Sequence, residues 1–321
     1  MVINKNFKKV MVVLGGTSGE RAVSLESGKA CIKAIKKMGY KVSTFDPKKK
    51  NFNLIDKKNT DVIFNALHGK DGEDGVAQCY FEYLGIPYTH SGVISSYNAM
   101  NKIISKKIFI KNRIRTPKFF SIQKFEYSKN LIQKIITRKK INFPIVVKPI
   151  NEGSSLGVKI CKNKEKLFVS INFLFGKYNE LIFEEYIGGQ EVQVAVINGK
   201  PVGAIELIPR RLFYDYKAKY TKKANTKHIM PARLPKKKYY EVLNIAKKTH
   251  KVLNCRGVTR SDFKFYKNNF YLLELNTQPG MTSLSLVPEI ALYKGLTFED
   301  LVKKILLDAS INRWKFILLS V

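Results

Sequence analysis

The chain has 321 residues, 45% hydrophobic and 26% charged, proportions that exclude a disordered, collagenous or disulfide-stapled protein and leave room for two or three domains. Its 58 Lys and Arg against 25 Asp and Glu give a net charge of +33, the footprint of a polyanion binder; yet only ten of the 58 are Arg, the residue of base-edge and bidentate phosphate recognition, so the charge reads as a solvated lysine surface and no nucleic-acid partner is expected. No apolar run reaches the roughly 18–20 residues of a spanning helix, and the Lys-dotted first ten residues lack the apolar stretch of a secretion signal, so a cytoplasmic protein with no membrane partner is expected.

In chain order, residues 10–14 form a continuous apolar run that ends at Gly15-Gly16-Thr17-Ser18-Gly19, and residues 24–39 carry helical periodicity. This predicts a buried parallel strand, a tight loop and a helix. Residues 42–45 and 62–67 read as further strands, so the first hundred residues predict a doubly wound α/β unit with ligands beyond the carboxyl ends of its strands. A Lys-rich helix is expected over 96–112, followed by a strand after Thr116-Pro117. Residues 145–149 and 158–160 predict two strands joined by the glycine loop Glu152-Gly153-Ser154-Ser155-Leu156-Gly157. Strands follow over 181–186 and 192–197, the latter ending in a turn at Asn198-Gly199. Residues 220–231 read as a long loop. Residues 258–266 and 270–276 predict a hairpin around Lys267-Asn268-Asn269. A three-residue loop would set Asp262 opposite Glu274 and Phe263 opposite Leu273, with Phe263, Phe265, Leu273 and Leu275 on the core face and Arg260, Asp262, Glu274 and Asn276 on the other. The four cysteines, Cys31, Cys79, Cys161 and Cys255, form no C-x-x-C and read as buried reduced thiols.

Asp262, Glu274 and Asn276 converge without His or Cys, a hard-oxygen set of the kind Mg²⁺ prefers. The Gly/Pro stretch after Asn276 exposes backbone donors, and Arg260 adds a fixed cation beside them, a combination suited to a developing oxyanion next to a phosphate. The loop over 152–157 can close over phosphates, with Lys148 supplying charge from the preceding strand. Gly153-Ser154-Ser155-Leu156-Gly157 also satisfies G-x-S-x-G, but a strand rather than a helix is expected after it, which opposes a nucleophilic Ser155. Neither a P-loop nor a dinucleotide fingerprint is present.

These residues together resemble the D-alanine:D-alanine ligases of the ATP-grasp superfamily, over essentially the whole length. The stretches that carry the resemblance are Leu14-Gly15-Gly16-Thr17-Ser18-Gly19-Glu20-Arg21, Leu67-His68-Gly69 with Gly72-Glu73-Asp74-Gly75, and Pro87-Tyr88-Thr89 with Ser91-Gly92. They continue with Val147-Lys148-Pro149 and the glycine loop, residues 213–220, and Leu273-Glu274-Leu275-Asn276-Thr277-Gln278-Pro279-Gly280-Met281-Thr282 with Ser285-Leu286-Val287-Pro288.

The resemblance implies an α/β fold of three domains: a Rossmann-like substrate domain with a parallel sheet over 1–94, a central ATP-grasp domain over 95–190 and a C-terminal ATP-grasp domain over 191–321. ATP would be gripped between the sheets of the last two. It implies ligation of two D-alanines through a D-alanyl phosphate, in peptidoglycan precursor synthesis, by a homodimer. Lys102, Lys148, Glu184, Glu185, Ile187, Glu191 and Lys219 would bind ATP. Asp262, Glu274 and Asn276 would hold two Mg²⁺, with Mn²⁺ as the alternative. Glu20, Ser154, Tyr220, Arg260 and Gly280 would be catalytic, and His68, Ser285 and Leu286 would bind substrate. The glycine loop and residues 214–227 are the expected lids, and Tyr220 would favour a dipeptide over a D-lactate product. Asn101 stands where the family commonly has Asp, Tyr186 where it often has Trp, and residues 314–321 form an apolar extension with no implied role.

Overall fold

A computed structural model describes residues 7–209, 226–282 and 284–311. Tyr220, Lys219, most of the second expected lid and the extension over 314–321 lie outside the described residues.

The chain opens with β1 (Lys9–Val13), α1 (Arg21–Lys37), β2 (Lys41–Phe45), β3 (Val62–Asn65) and α2 (Val76–Leu84). The three strands form a parallel sheet in the order β2-β1-β3. The apolar run of β1 is explained by burial on both faces. Val10, Val12 and Leu14 join a core with Cys31 and Ile35 of α1, while Met11 and Val13 pack on the opposite side with Ala77 and Phe81 of α2.

The helix expected over 96–112 is two helices, α3 (Val93–Met100) and α4 (Lys102–Lys111). Asn101 breaks the run. It ends α3 in an extended conformation, and its side chain accepts from the backbone N–H groups of Ile103 and Ile104, capping α4. An N-cap needs only a side-chain oxygen, so Asn serves where the family carries Asp. Ala99 of α3 and Phe109 of α4 enter the core of the C-terminal sheet described below.

Next come β4 (Phe119–Gln123), α5 (Lys129–Lys139), β5 (Ile145–Pro149), β6 (Lys159–Cys161), α6 (Lys164–Phe175) and β7 (Glu180–Glu185). The strands form an antiparallel sheet in the order β4-β7-β5-β6, and α5 and α6 cover one face through Ile132, Leu167, Ile171 and Leu174. The other face is left for the cleft.

The remaining elements are β8 (Gln190–Ile197), β9 (Lys200–Ile208), β10 (Lys227–Ile229), α7 (Lys236–Val252), β11 (Val258–Tyr266), β12 (Asn269–Asn276), α8 (Leu286–Tyr293) and α9 (Phe298–Asp308). Among the described residues their strands form an antiparallel sheet ordered β10-β9-β8-β11-β12. The turn at Asn198-Gly199 has positive φ at both residues, as expected. The segment expected as a long loop over 220–231 contains β10, which pairs with Ile208, Leu207 and Glu206 of β9.

The β11-β12 hairpin departs from its expected register. Its loop has two residues, Lys267 and Asn268, both with positive φ, between the paired Tyr266 and Asn269. A β-bulge then shifts the register between Asp262 and Phe263, so Phe263 faces Leu272, while Asp262 still faces Glu274 and Arg260 still faces Asn276. The extra residue is Leu273. Leu272 takes the core place expected for it, and Leu273 turns to the cleft. The bulge restores the alternation that a two-residue loop would have broken.

All four cysteines are free thiols; Cys31 and Cys161 are buried, Cys255 is half-buried, and Cys79 is exposed rather than buried. Cys79 falls on the outer side of α2, away from the core residues Ala77 and Phe81.

Candidate active site

The uncovered face of the four-stranded sheet and the five-stranded sheet border a cleft between them. Six of the residues expected to bind ATP, Lys102, Lys148, Glu184, Glu185, Ile187 and Glu191, line it together with Asp262 and Glu274. Lys219, the seventh, is outside the described residues. Val146, Val158, Ile160 and Leu273 make one part of the cleft apolar, while the lysines and carboxylates make the rest polar, the mixture expected of a nucleotide site.

The lysines are held by carboxylates. Lys148 Nζ lies 2.9 Å from Glu184 Oε2. Burial works to discharge Lys148, but Glu184 and Glu274 outweigh it and leave its pKa raised. Burial likewise opposes the charge on Glu184, and Lys106 and Lys148 outweigh it. Lys102 donates to the Glu152 carbonyl at 2.5 Å and stands 3.8 Å from Glu274 Oε2. Burial lowers its pKa, with Glu274 resisting. At the rim, Lys264 pairs with Glu191 at 3.0 Å.

A second, smaller cavity shares Lys102, Glu152 and Glu274 with the first and is lined further by Glu73, Gly153, Ser154, Arg260, Asn276 and Thr277. Ser154 Oγ hydrogen-bonds Glu20 Oε1, joining the glycine loop to the start of α1. Glu20 is 5% exposed, and its position before α1 is where a helix favours negative charge. A Cβ on Gly153 would sit 2.5 Å from Glu20 Oε2, so a side chain there would push that carboxylate out of place. Ser154 and Ser155 both adopt positive φ, a strain that non-glycine residues carry only where surroundings demand it. Strand β6 follows this loop, so Ser155 is not on the strand-to-helix elbow that a hydrolase nucleophile needs.

Arg260 grips Asp262 with both ends of its guanidinium, Nε at 2.7 Å and Nη2 at 2.9 Å. Asp262 and Glu274 face one another across the hairpin, as do Arg260 and Asn276. Asn276 Oδ1 also accepts the Gln278 N–H at 2.8 Å. Among the described residues no group of three or more His, Cys, Asp or Glu side chains is placed to hold a metal. The expected set is two carboxylates and an amide, all hard oxygens, on the walls of the two cavities, a donor chemistry that would suit a magnesium-type ion.

The other substrate-binding candidates are less direct. His68 is buried, and its Nε2 lies 3.2 Å from Ser27 Oγ, which in turn accepts the Met281 N–H at 3.1 Å. Burial lowers its pKa to about 4, so it is neutral at pH 7 and reaches the site through Ser27 and the backbone after Gly280. Ser285 Oγ accepts the Thr282 N–H at 2.9 Å and lies 2.8 Å from where a Cβ on Gly280 would be. Leu286 begins α8, and its side chain is part of the apolar core that also contains Met281.

Three residues not singled out for the site belong to it. Glu73 lines the second cavity, its Oε2 is buried with no hydrogen-bond partner among the described residues, and burial beside Glu20 raises its pKa well above the usual carboxylate value. Gln278 is 1% exposed and bonds Leu67 O and Asn65, tying the Gly280 loop to the parallel sheet. Both fall inside motifs already quoted, which was the available signal. Lys106, one helical turn after Lys102 and paired with Glu184, had no such signal.

Comparison with known proteins points one way. The family model described as D-ala D-ala ligase C-terminus matches residues 108–307, and that described as D-ala D-ala ligase N-terminus matches residues 46–91. The D-alanine–D-alanine ligase of Pelagibacter ubique is 54% identical over 307 residues, 95% of this chain and 99% of its own. That of Geotalea uraniireducens is 41% identical over 306 residues, 95% of this chain and 96% of its own. The crystal structure of the Bacillus anthracis D-alanine–D-alanine ligase superposes with a TM-score of 0.82 at 34% identity, covering 94% of this chain and 96% of that one. The ATP complex from the same organism gives 0.79 at 32%, covering 94% and 97%.

Proposed function

The chain belongs to the D-alanine–D-alanine ligase family and, as an ATP-grasp ligase, joins two D-alanines at the expense of ATP for peptidoglycan precursors; on that premise we propose that its two connected cavities are the nucleotide site and the amino-acid site. The observation that carries this reading is the shared wall. Lys102, Glu152 and Glu274 border both cavities, so a γ-phosphate in one lies beside a carboxylate in the other. The three sheets support a division into a substrate unit over 1–94 and ATP-grasp units over 95–190 and 191–321, with α3 and α4 packed on the last.

A carboxylate does not react with an amine until one oxygen becomes a leaving group. In the proposed sequence the first D-alanine is held through its ammonium by Glu20, itself fixed by Ser154. Its carboxylate oxygen takes the γ-phosphoryl group, ADP leaves, and Lys102 and Lys148 hold the phosphate charge during the in-line transfer. The amine of the second D-alanine attacks the acyl carbon. Arg260 and the Gly280 N–H stabilise the tetrahedral oxyanion, and the C–O bond to phosphate breaks as the peptide bond forms. Asp262, Glu274 and Asn276 would hold two Mg²⁺, or Mn²⁺, which supply charge neutralisation along the polyphosphate when bound. Closure of residues 153–157 would exclude water, which otherwise hydrolyses acyl phosphates. Tyr220 and Lys219 keep the roles the resemblance implies.

No helix among the described residues is long and apolar enough to cross a membrane, and we place the enzyme in the cytoplasm, where its ATP is made. A homodimer is supported by apolar side chains left exposed on α2 and α3, among them Tyr83, Ile94 and Tyr97. The nucleotide assignment has a direct test. Lys148→Ala is expected to raise KM for ATP by about 10- to 100-fold, the cost of one charge-assisted contact, with little change in KM for D-alanine. An unchanged KM for ATP would contradict the placement of phosphate beside Lys148.

A further inference from the structure

Glu184 is a cleft carboxylate with a lysine on each oxygen. Lys148 approaches Oε2 at 2.9 Å from within the cleft. Lys106 approaches Oε1 at 3.1 Å from behind, and its side chain is wholly buried and does not line the cleft. A buried ammonium is costly unless its donors are satisfied. The charge of Lys106 is offset by the Glu184 ion pair, and its ammonium hydrogen-bonds Thr116 Oγ1 at 2.6 Å and lies 5.7 Å from the centre of the Phe119 ring. Thr116 in turn donates to the Leu272 carbonyl at 2.8 Å, next to the bulged Leu273 of the cleft wall. Lys106 therefore links α4, the start of the four-stranded sheet and the catalytic hairpin to one carboxylate. Burial lowers its pKa to about 8, with Glu184 resisting, which leaves it a cation at neutral pH.

We propose that Lys106 is a positioning residue for ATP binding: by holding Oε1 of Glu184 from behind, it fixes the carboxylate that orients Lys148 and offsets the negative charge that Glu184 would otherwise present to a polyphosphate. This rests on the reading of the cleft as the nucleotide site. Two lysines on one glutamate leave one positive charge in excess. Without Lys106 the pair Lys148–Glu184 is neutral, Oε1 has lost its ion-pair partner, and the carboxylate is free to turn into the cleft and repel phosphate. The lysine spacing follows from helix geometry, since Lys102 and Lys106 lie at i and i+4 on one face of α4.

The test compares Lys106→Met, Lys106→Arg and Thr116→Val with Lys148→Ala, measuring KM for ATP, KM for D-alanine, kcat and Tm. Lys106→Met is expected to raise KM for ATP by roughly tenfold or more with kcat and KM for D-alanine changed far less, and Lys106→Arg to recover part of the loss. Thr116→Val keeps the charge and the side-chain shape but removes the hydroxyl that seats Lys106, so a smaller rise of about two- to fivefold in the same constant is expected even if Lys106→Met does not fold. A fall in Tm with KM for ATP unchanged in Lys106→Met or Thr116→Val would overturn the proposal and leave Lys106 a core ion pair. If Lys148→Ala alone raises KM for ATP, the nucleotide site stands and the role of Lys106 falls. If neither lysine affects it, the nucleotide reading itself has failed.

Discussion

Glu274→Gln is expected to lower the rate of ligation by about three orders of magnitude while the protein remains folded. Glu274 faces Asp262 across the hairpin and borders both cavities, 3.8 Å from Lys102. Glutamine preserves its shape and one carbonyl oxygen but removes the charge that a divalent ion and a buried lysine both require. The side chain is 29% exposed, and Lys102, which loses a counter-charge, keeps its hydrogen bond to the Glu152 carbonyl, so the fold has little reason to fail. Dipeptide formation at saturating ATP and D-alanine, with Mg²⁺ and then Mn²⁺ raised in steps, checks this. Recovery to within about tenfold of the native rate at high metal would show that Glu274 is not essential for holding the metal.

Arg260→Lys is expected to cost about 10²- to 10³-fold in kcat, with a smaller effect on KM for ATP. The guanidinium spends Nε and Nη2 on the two oxygens of Asp262 and borders the second cavity. A lysine can supply the charge, but not the planar fork that holds Asp262 and presents a further donor to a developing oxyanion. Kinetics at saturating substrate, read beside a circular-dichroism melt, separates this from misfolding. A kcat close to native in a folded variant would remove Arg260 from the oxyanion site and leave it as the support of Asp262.

The hairpin shows what could and could not be read from sequence. Alternation of apolar and polar residues requires that Asp262, Glu274 and Asn276 share a face, and they do. How the chain achieves it is not in the alternation. Two arrangements, a longer loop or a shorter loop with a bulge, give the same facing pairs, and only the packing of Leu272 into the core decides between them. Similarly, residues 96–112 read as one helix, and the break at Asn101 is chosen by a capping hydrogen bond that competes with helix continuation. Lys148 was legible in its motif, whereas Lys102, Glu184, Glu185, Ile187 and Glu191 came only with the resemblance, and the structure brings all six to one cleft. Lys106 was not legible, because one lysine among 48 on a basic chain looks like surface until burial and Glu184 distinguish it. Glu73 was quoted within its motif, but its burial beside Glu20 is a tertiary fact. His68 was read as a ligand candidate in a loop, and the structure turns its ring inward to Ser27.

The most direct test of the account follows one oxygen atom. If the first D-alanine is activated by phosphoryl transfer to its carboxylate, D-alanine labelled with ¹⁸O in the carboxyl group must hand one label to phosphate for each dipeptide made, because the bond broken in the second step lies between the acyl carbon and that oxygen. Mass analysis of the phosphate released with ATP, Mg²⁺ and labelled D-alanine is therefore expected to find one ¹⁸O per dipeptide. Unlabelled phosphate accompanying dipeptide formation would mean that the carboxylate is never phosphorylated, and would contradict the proposed use of the two adjoining cavities.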